Sequence, residues 1–182
     1  MSARASVGAL TESIDRLVRP VEDWPQPGVT FRDITPLLGD ADALSAVMDG
    51  LVDLAGEMGP VDAVLGIEAR GFLFGPSVAL RLDAGFVPVR KAGKLPSASL
   101  STTYELEYGS AVLEMHDDAI APGARVLVVD DVLATGGTML AAADLVAQAG
   151  ATVAGNLVVI ELTALGGRAR LEPVGCATLR AY

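Results

Sequence analysis

Apolar residues return every three or four positions between residues 4 and 19, with Leu10, Ile14, Leu17 and Val18 on one face. That spacing predicts a helix, which Pro20 ends. Pro25, Pro27 and Gly28 make 24–33 an extended loop. Asp40 is positioned to cap a second helix, whose buried stripe is Leu44, Val47, Met48, Leu51 and Leu54. Beyond it, strand and helix patterns alternate. Residues 63–67 form a short continuous apolar strand, 68–71 a turn, 72–81 a helix and 86–90 the next strand. Gly93 and Gly109 bracket a Ser/Thr-rich stretch with room for a small hairpin, and 111–115 alternates like a half-exposed strand. Residues 126–129 and 153–160 are further buried strands, 138–149 is a helix and 177–182 a last strand. The fold class expected is α/β, an open and mostly parallel twisted sheet flanked by helices, with ligand at the C-terminal ends of its strands. The turns after Ile67, Val89 and Val129 would converge on that edge.

Composition narrows the function. The 182 residues suit one compact domain with a small appendage, and 51% hydrophobic residues supply a core. One cysteine, Cys176, excludes a disulfide within the chain, and one histidine, His116, excludes a Cys/His metal cluster. No signal-peptide pattern opens the chain and no apolar run spans a bilayer, so a cytoplasmic protein without a membrane partner is expected. A net charge of −10 argues against nucleic acid as a partner. Locally the balance reverses: no acid lies between Asp83 and Glu105, while Arg90, Lys91 and Lys94 do. An acidic protein can still focus positive potential in one cleft.

The chemistry concentrates in residues 126–139, V-L-V-V-D-D-V-L-A-T-G-G-T-M. Ala134, Thr135, Gly136, Gly137 and Thr138 offer backbone N–H groups and two hydroxyls at a helix N-terminus, a place that holds a phosphate monoester. Asp130 and Asp131, just before, can accept hydrogen bonds from vicinal hydroxyls. Together they describe a site for a ribose 5-phosphate. The stretch has neither G-K-[ST] nor G-x-G-x-x-G, so it is neither a Walker A loop nor a dinucleotide fingerprint. Arg70, between small residues after a buried strand, suits a bidentate clamp on pyrophosphate. A non-proline cis peptide in the same loop would turn N–H groups toward a ligand. Residues 90–96 form a second basic turn, which reads alone as a solvated loop. Residues 95–108 read equally as a mobile lid or as a hairpin; Glu105 and Glu107 share one face of a strand there, and Tyr104 and Tyr108 the other. Phe31 reads as a core residue or as a platform for a flat heterocycle.

The chain resembles the adenine phosphoribosyltransferases. The matching segments are P-G-V and F-R-D around Phe31, E-A-R-G-F-L-F-G around Arg70 and V-R-K-A-G-K-L-P around Lys91. Y-E-L-E-Y-G around Glu107 and V-V-D-D-V-L-A-T-G-G-T through Thr138 complete them. They run in the family's order from about residue 25 to 165. Trp24 stands where the family often has phenylalanine, a modest departure. The resemblance implies a type I phosphoribosyltransferase fold: an N-terminal helix and base-binding hood over 1–35, and a core over 36–182 with a flexible lid at about 91–111. It implies reversible transfer of the 5-phosphoribosyl group of phosphoribosyl pyrophosphate (PRPP) to N9 of adenine, giving AMP and pyrophosphate in purine salvage. Mg²⁺ is the implied cofactor, held mainly by PRPP oxygens rather than by a protein metal site. A homodimer is implied, in which Arg90 reaches the neighbouring site.

By position, the resemblance assigns Ala134, Thr135, Gly136, Gly137 and Thr138 to the 5′-phosphate and Asp130 and Asp131 to the ribose hydroxyls. Arg70, Lys91 and Lys94 handle pyrophosphate. Phe31 stacks on adenine while the backbone at Thr30 and Arg32 reads its edge. Glu107 manages the purine proton, with Arg70 and Tyr108 completing the catalytic set and Tyr108 closing the lid. The segment after Leu165 receives no role. Two other readings stand beside this one: a transferase for xanthine or hypoxanthine, and a non-catalytic regulator that senses PRPP.

Overall fold

The structure, a computed structural model, describes residues 7–105 and 110–182. The chain divides into two compact units, Met1–Gly50 and Leu51–Tyr182.

In the first unit, α1 (Val7–Leu17) buries Leu10 and Ile14, and Val18 just beyond it is buried too, as the periodicity predicts. Pro20 does not merely stop the helix. It sits in a short strand, β1 (Arg19–Val21), which pairs antiparallel with β2 (Phe31–Asp33) in the register Arg19↔Asp33, Pro20↔Arg32, Val21↔Phe31. The expected extended loop therefore ends in a strand. The pair is clasped by Arg19, whose Nε donates to Asp33 Oδ2 at 3.2 Å. The other oxygen of Asp33 accepts from Thr35 N at 2.9 Å and Thr35 Oγ1 at 2.6 Å, at the start of the short helix α2 (Thr35–Leu38). Asp40 caps α3 (Ala41–Gly56) as read from the sequence, accepting from Ala43 N at 2.9 Å. Val47, Met48 and Leu51 of α3 are buried, each contributing roughly 1.5–3 kcal/mol relative to exposure.

The second unit holds a seven-stranded sheet. Its strands are β3 (Ala63–Ile67), β4 (Gly85–Lys91), β5 (Ser99–Glu105), β6 (Ser110–His116), β7 (Arg125–Leu133), β8 (Thr152–Glu161) and β9 (Ala177–Ala181), in the order β5-β6-β4-β3-β7-β8-β9. From β4 to β9 across the sheet all neighbours are parallel, while β5 and β6 form an antiparallel hairpin added at the β4 edge. This is the α/β, mostly parallel architecture that the alternating pattern predicts. Helix α4 (Gly71–Arg81) packs on β3, β4 and β7, and α5 (Gly137–Gln148) on β5, β7 and β8. Val126, Val128 and Val158 form one apolar cluster with Met139, Ala142, Leu145 and Val146 of α5. A 3₁₀ turn (Thr163–Leu165) and α6 (Gly167–Arg170) lead from β8 towards β9.

Between lid and hairpin, the described residues form a hairpin from Ser99↔His116 to Glu105↔Ser110. Leu100 and Tyr104 pack against the core cluster. Its tip, 106–109, which carries Glu107 and Tyr108, lies outside the described residues. Among the described residues no helix is long and apolar enough to cross a membrane.

Candidate active site at three strand ends

Strands β4, β3 and β7 are consecutive parallel neighbours, so the turns that follow them open on one edge of the sheet. The turn after β3 contains a cis Glu68–Ala69 peptide, the non-proline cis bond contemplated for this loop. Arg70 is the residue before α4, and its Nε lies 2.9 Å from Asp131 Oδ2 on β7. Gly71 begins α4 directly against β7: a Cβ there would stand 2.6 Å from the Val129 carbonyl oxygen. Only a residue without a side chain lets the helix start so close to the strand.

The sequence did not single out Glu68, which ties the second basic turn to the first. Its carboxylate accepts from Lys91 N at 3.0 Å and from Arg90 Nε and Nη2, each at 3.3 Å. The Lys91 amide, followed by the Arg90 guanidinium, holds the Glu68 carboxyl below its ordinary range. Arg90 also donates to the Lys94 carbonyl at 3.2 Å, so it is engaged within its own chain. The turn is tethered twice more, by Ala92 N to Val112 O at 3.2 Å and by Gly93 N to Glu114 Oε2 at 2.9 Å. Lys91 and Lys94 are exposed beside it.

Asp130 and Asp131 do not lie in a turn after Val129, as the sequence reading has it. β7 continues to Leu133 because β8 runs alongside it, with Asp130↔Val158 and Leu133↔Glu161 in register. The two acids are consecutive residues at the strand end, and the charge of Asp131 is felt at the Asp130 carboxyl. Asp131 is buried and meets Arg70. Asp130 Oδ1 accepts from the Asp131 amide at 2.9 Å. Burial, then the neighbouring Asp131 charge, pushes the Asp130 carboxyl well above the ordinary carboxylate range. Burial also raises Asp131, against the pull of Arg70.

The turn at 134–138 follows. Gly136 has φ +82°, in the left-handed region that favours glycine, and is the N-cap of α5. The first N–H groups of α5, on Gly137, Thr138 and Met139, have no intrahelical acceptor, and the helix dipole adds positive potential there. Ala134, Thr135 and Thr138 are partly exposed, and Gly136 and Gly137 are buried. A helix N-terminus with free backbone amides suits an anion.

The described part of the site thus brings together Arg70, Arg90, Lys91, Lys94, Asp130, Asp131 and 134–138, all in the second unit. Thr30, Phe31 and Arg32 belong to the first. There Phe31 stands edge-on to Trp24 with ring centroids 4.4 Å apart, and Thr30 Oγ1 donates to Glu22 Oε2 at 2.7 Å. The Trp24–Pro25 bond beside them is cis.

Comparison with known proteins agrees with this geometry. Residues 41–177 match the phosphoribosyl transferase domain family. A protein of Streptomyces coelicolor named adenine phosphoribosyltransferase is 57% identical over 164 residues, covering 90% of both chains. The crystal structure of adenine phosphoribosyltransferase from Rhodothermus marinus superposes with a TM-score of 0.89 at 47% identity, over 96% of this chain and 99% of that one. The Saccharomyces cerevisiae enzyme, solved with an imino-altritol bisphosphate and adenine, gives 0.88 at 38% identity over 94% and 99%.

Proposed function

The chain belongs to the adenine phosphoribosyltransferase family, and from that premise we infer how its residues divide the reaction. It transfers the 5-phosphoribosyl group of PRPP to adenine, giving AMP and pyrophosphate in purine salvage. The observation that carries the assignment of roles is the meeting of an anion-binding turn, two carboxylates and a fixed guanidinium at two adjacent strand ends.

The sugar is held at its phosphorylated end by the amides and hydroxyls of 134–138. Asp130 accepts from the ribose hydroxyls. Asp131 contributes mainly by holding Arg70 (2.9 Å), whose guanidinium then faces the pyrophosphate in one orientation. Lys91 and Lys94 supply mobile charge, on a turn that Glu68 and Glu114 keep in place. Breaking the bond at the anomeric carbon builds positive charge on the ribose and negative charge on the leaving pyrophosphate. Fixed cations at the leaving oxygens stabilise that separation. Glu107 accepts the proton that adenine loses from N9 as the new C–N bond forms, and Tyr108 closes over the centre against water. Phe31 stacks on the base and the backbone at Thr30 and Arg32 reads its edge.

Mg²⁺ fits the site as a companion of the substrate. No group of three or more His, Cys, Asp or Glu among the described residues could hold a metal. Asp130 and Asp131 offer oxygen ligands of the right kind, and Mg²⁺ characteristically takes one or two carboxylates together with substrate phosphates. When bound, the ion neutralises pyrophosphate charge. The proposal includes a cytoplasmic homodimer. For Arg90 to reach the neighbouring site, its pair with Glu68 would have to open.

The experiment is an AMP-formation assay with adenine, hypoxanthine, xanthine and guanine side by side, each with PRPP and Mg²⁺. Adenine alone is expected to be converted rapidly. Preference for a 6-oxopurine, or no product with any base, would overturn the assignment.

A further inference from the structure

We propose that Arg170, anchored through Arg168 and Glu161, is a positioning residue that sets the phosphate turn from behind. The inference rests on the reading of 134–138 as the 5′-phosphate cradle and assigns a task to a segment that the sequence left without one.

Arg170 Nη1 donates to the Thr135 carbonyl at 2.9 Å. The Thr135–Gly136 peptide is planar and trans, so its carbonyl and its N–H point in opposite directions. Holding the carbonyl therefore fixes the side on which the Gly136 amide is presented. The guanidinium also draws electron density toward the oxygen end of the peptide, which strengthens the amide as a donor.

The brace is backbone against backbone as well. A Cβ on Gly136 would come 3.0 Å from the Gly167 carbonyl oxygen. One on Gly167 would overlap the Ala134 carbonyl oxygen and stand 2.9 Å from Gly136 N. The turn thus lies directly on the start of α6, backbone on backbone, with Leu133 Cδ1 packed beside the contact.

α6 needs an anchor of its own, being only four residues long. Arg168 supplies it. Its Nε donates to Glu161 Oε1 at 2.9 Å and Oε2 at 3.1 Å, its Nη2 also meets Oε2, and its Nη1 reaches the Cys176 carbonyl. Glu161 is the last residue of β8 and is buried. The path from sheet to cradle is Glu161, Arg168, α6, Arg170, Thr135. Neither arginine is required to touch the substrate.

The test uses the full chain with Arg170→Met, which keeps the stem and removes the fork, and Arg170→Lys, which restores one donor. Ribose 5-phosphate binding is measured by calorimetry, and KM for PRPP and for adenine in steady state. Arg170→Met is expected to weaken ribose 5-phosphate and raise KM for PRPP roughly tenfold, the scale of one charge-assisted hydrogen bond. KM for adenine and the melting temperature should be little changed, and Arg170→Lys should recover part of the loss. Unchanged ribose 5-phosphate affinity in Arg170→Met, or an equal loss for adenine, overturns the brace. Thr138→Val, which removes a hydroxyl of the cradle and leaves the Gly136–Gly167 contact intact, tests the cradle separately. If it weakens ribose 5-phosphate while Arg170→Met does not, only the brace fails; if it leaves that binding unchanged, the cradle reading fails and the brace with it.

Discussion

Arg70 Nε lies 2.9 Å from Asp131 Oδ2, joining the turn after β3 to the end of β7. The two differ sharply in exposure: the Asp131 side chain is 3% exposed and that of Arg70 42%. The carboxylate is thus the fixed member and the guanidinium the one it aims outward. An acidic residue in a site for a polyanion is paradoxical until this pair is seen. Asp131 offsets part of the local positive charge, and in exchange a flexible cation acquires one orientation.

Arg70→Lys tests whether orientation or charge matters. Lysine keeps the charge but lacks Nε and the planar fork. The expected result is a rise of roughly tenfold or more in KM for PRPP, with pyrophosphate inhibition weakened alike. Kinetics equal to those of the parent would show that charge alone suffices.

Glu107→Gln separates proton transfer from binding. An amide cannot take the N9 proton, so turnover should fall about a hundredfold or more, the lower range of general-base effects. PRPP affinity, measured by calorimetry, should stay within about twofold, because no part of the proposed PRPP contact set involves Glu107. Unchanged turnover would remove it from the mechanism.

Gly167→Ala probes the close approach of α6 to the phosphate turn. The new methyl would meet two backbone atoms, Ala134 O and Gly136 N, neither of which can rotate away. A loss of about 1–3 kcal/mol in urea unfolding is expected, together with weaker AMP binding. Full stability with full affinity would mean that the turn yields freely.

Acid stability carries a signature from Asp33. Hydrogen bonds from Thr35, and then from Arg19, hold its carboxyl down at about 2, against 3.8 ordinarily. A depressed carboxylate stabilises the folded state above its unfolded value, and that contribution disappears as pH falls through the folded value. The window is therefore from about pH 4 down to about pH 2. Asp33→Asn should lower the melting temperature at neutral pH, and the gap from the parent should close as pH falls through that window. A gap that stays constant to pH 2 would show that the charge on Asp33 contributes nothing.

Much of the active edge was legible because its elements carry strong local signals. Residues 63–67 are uniformly apolar and became β3 without a residue's difference. The Gly-Gly pair before an apolar helix pattern marked the turn into α5, whose N-cap Gly136 is left-handed. The failures have physical causes. β1 and β2 are three residues each, too short for a period to show. The acids at 130 and 131 looked like a turn, yet the ladder with β8 carries them as strand. Glu68, Arg168 and Arg170 were missed because their partners lie far along the chain, and only the folded register brings them together. A hint for the last two was present in Gly166-Gly167 followed by Arg168 and Arg170, a flexible pair leading into two cations.

The most direct test of the account is a crystal structure of the chain with AMP. The account predicts the 5′-phosphate on the backbone amides of 134–138, the ribose hydroxyls toward Asp130, and Arg70 still held by Asp131. A nucleotide whose phosphate lies elsewhere, with those amides turned inward and satisfied by protein, would contradict it.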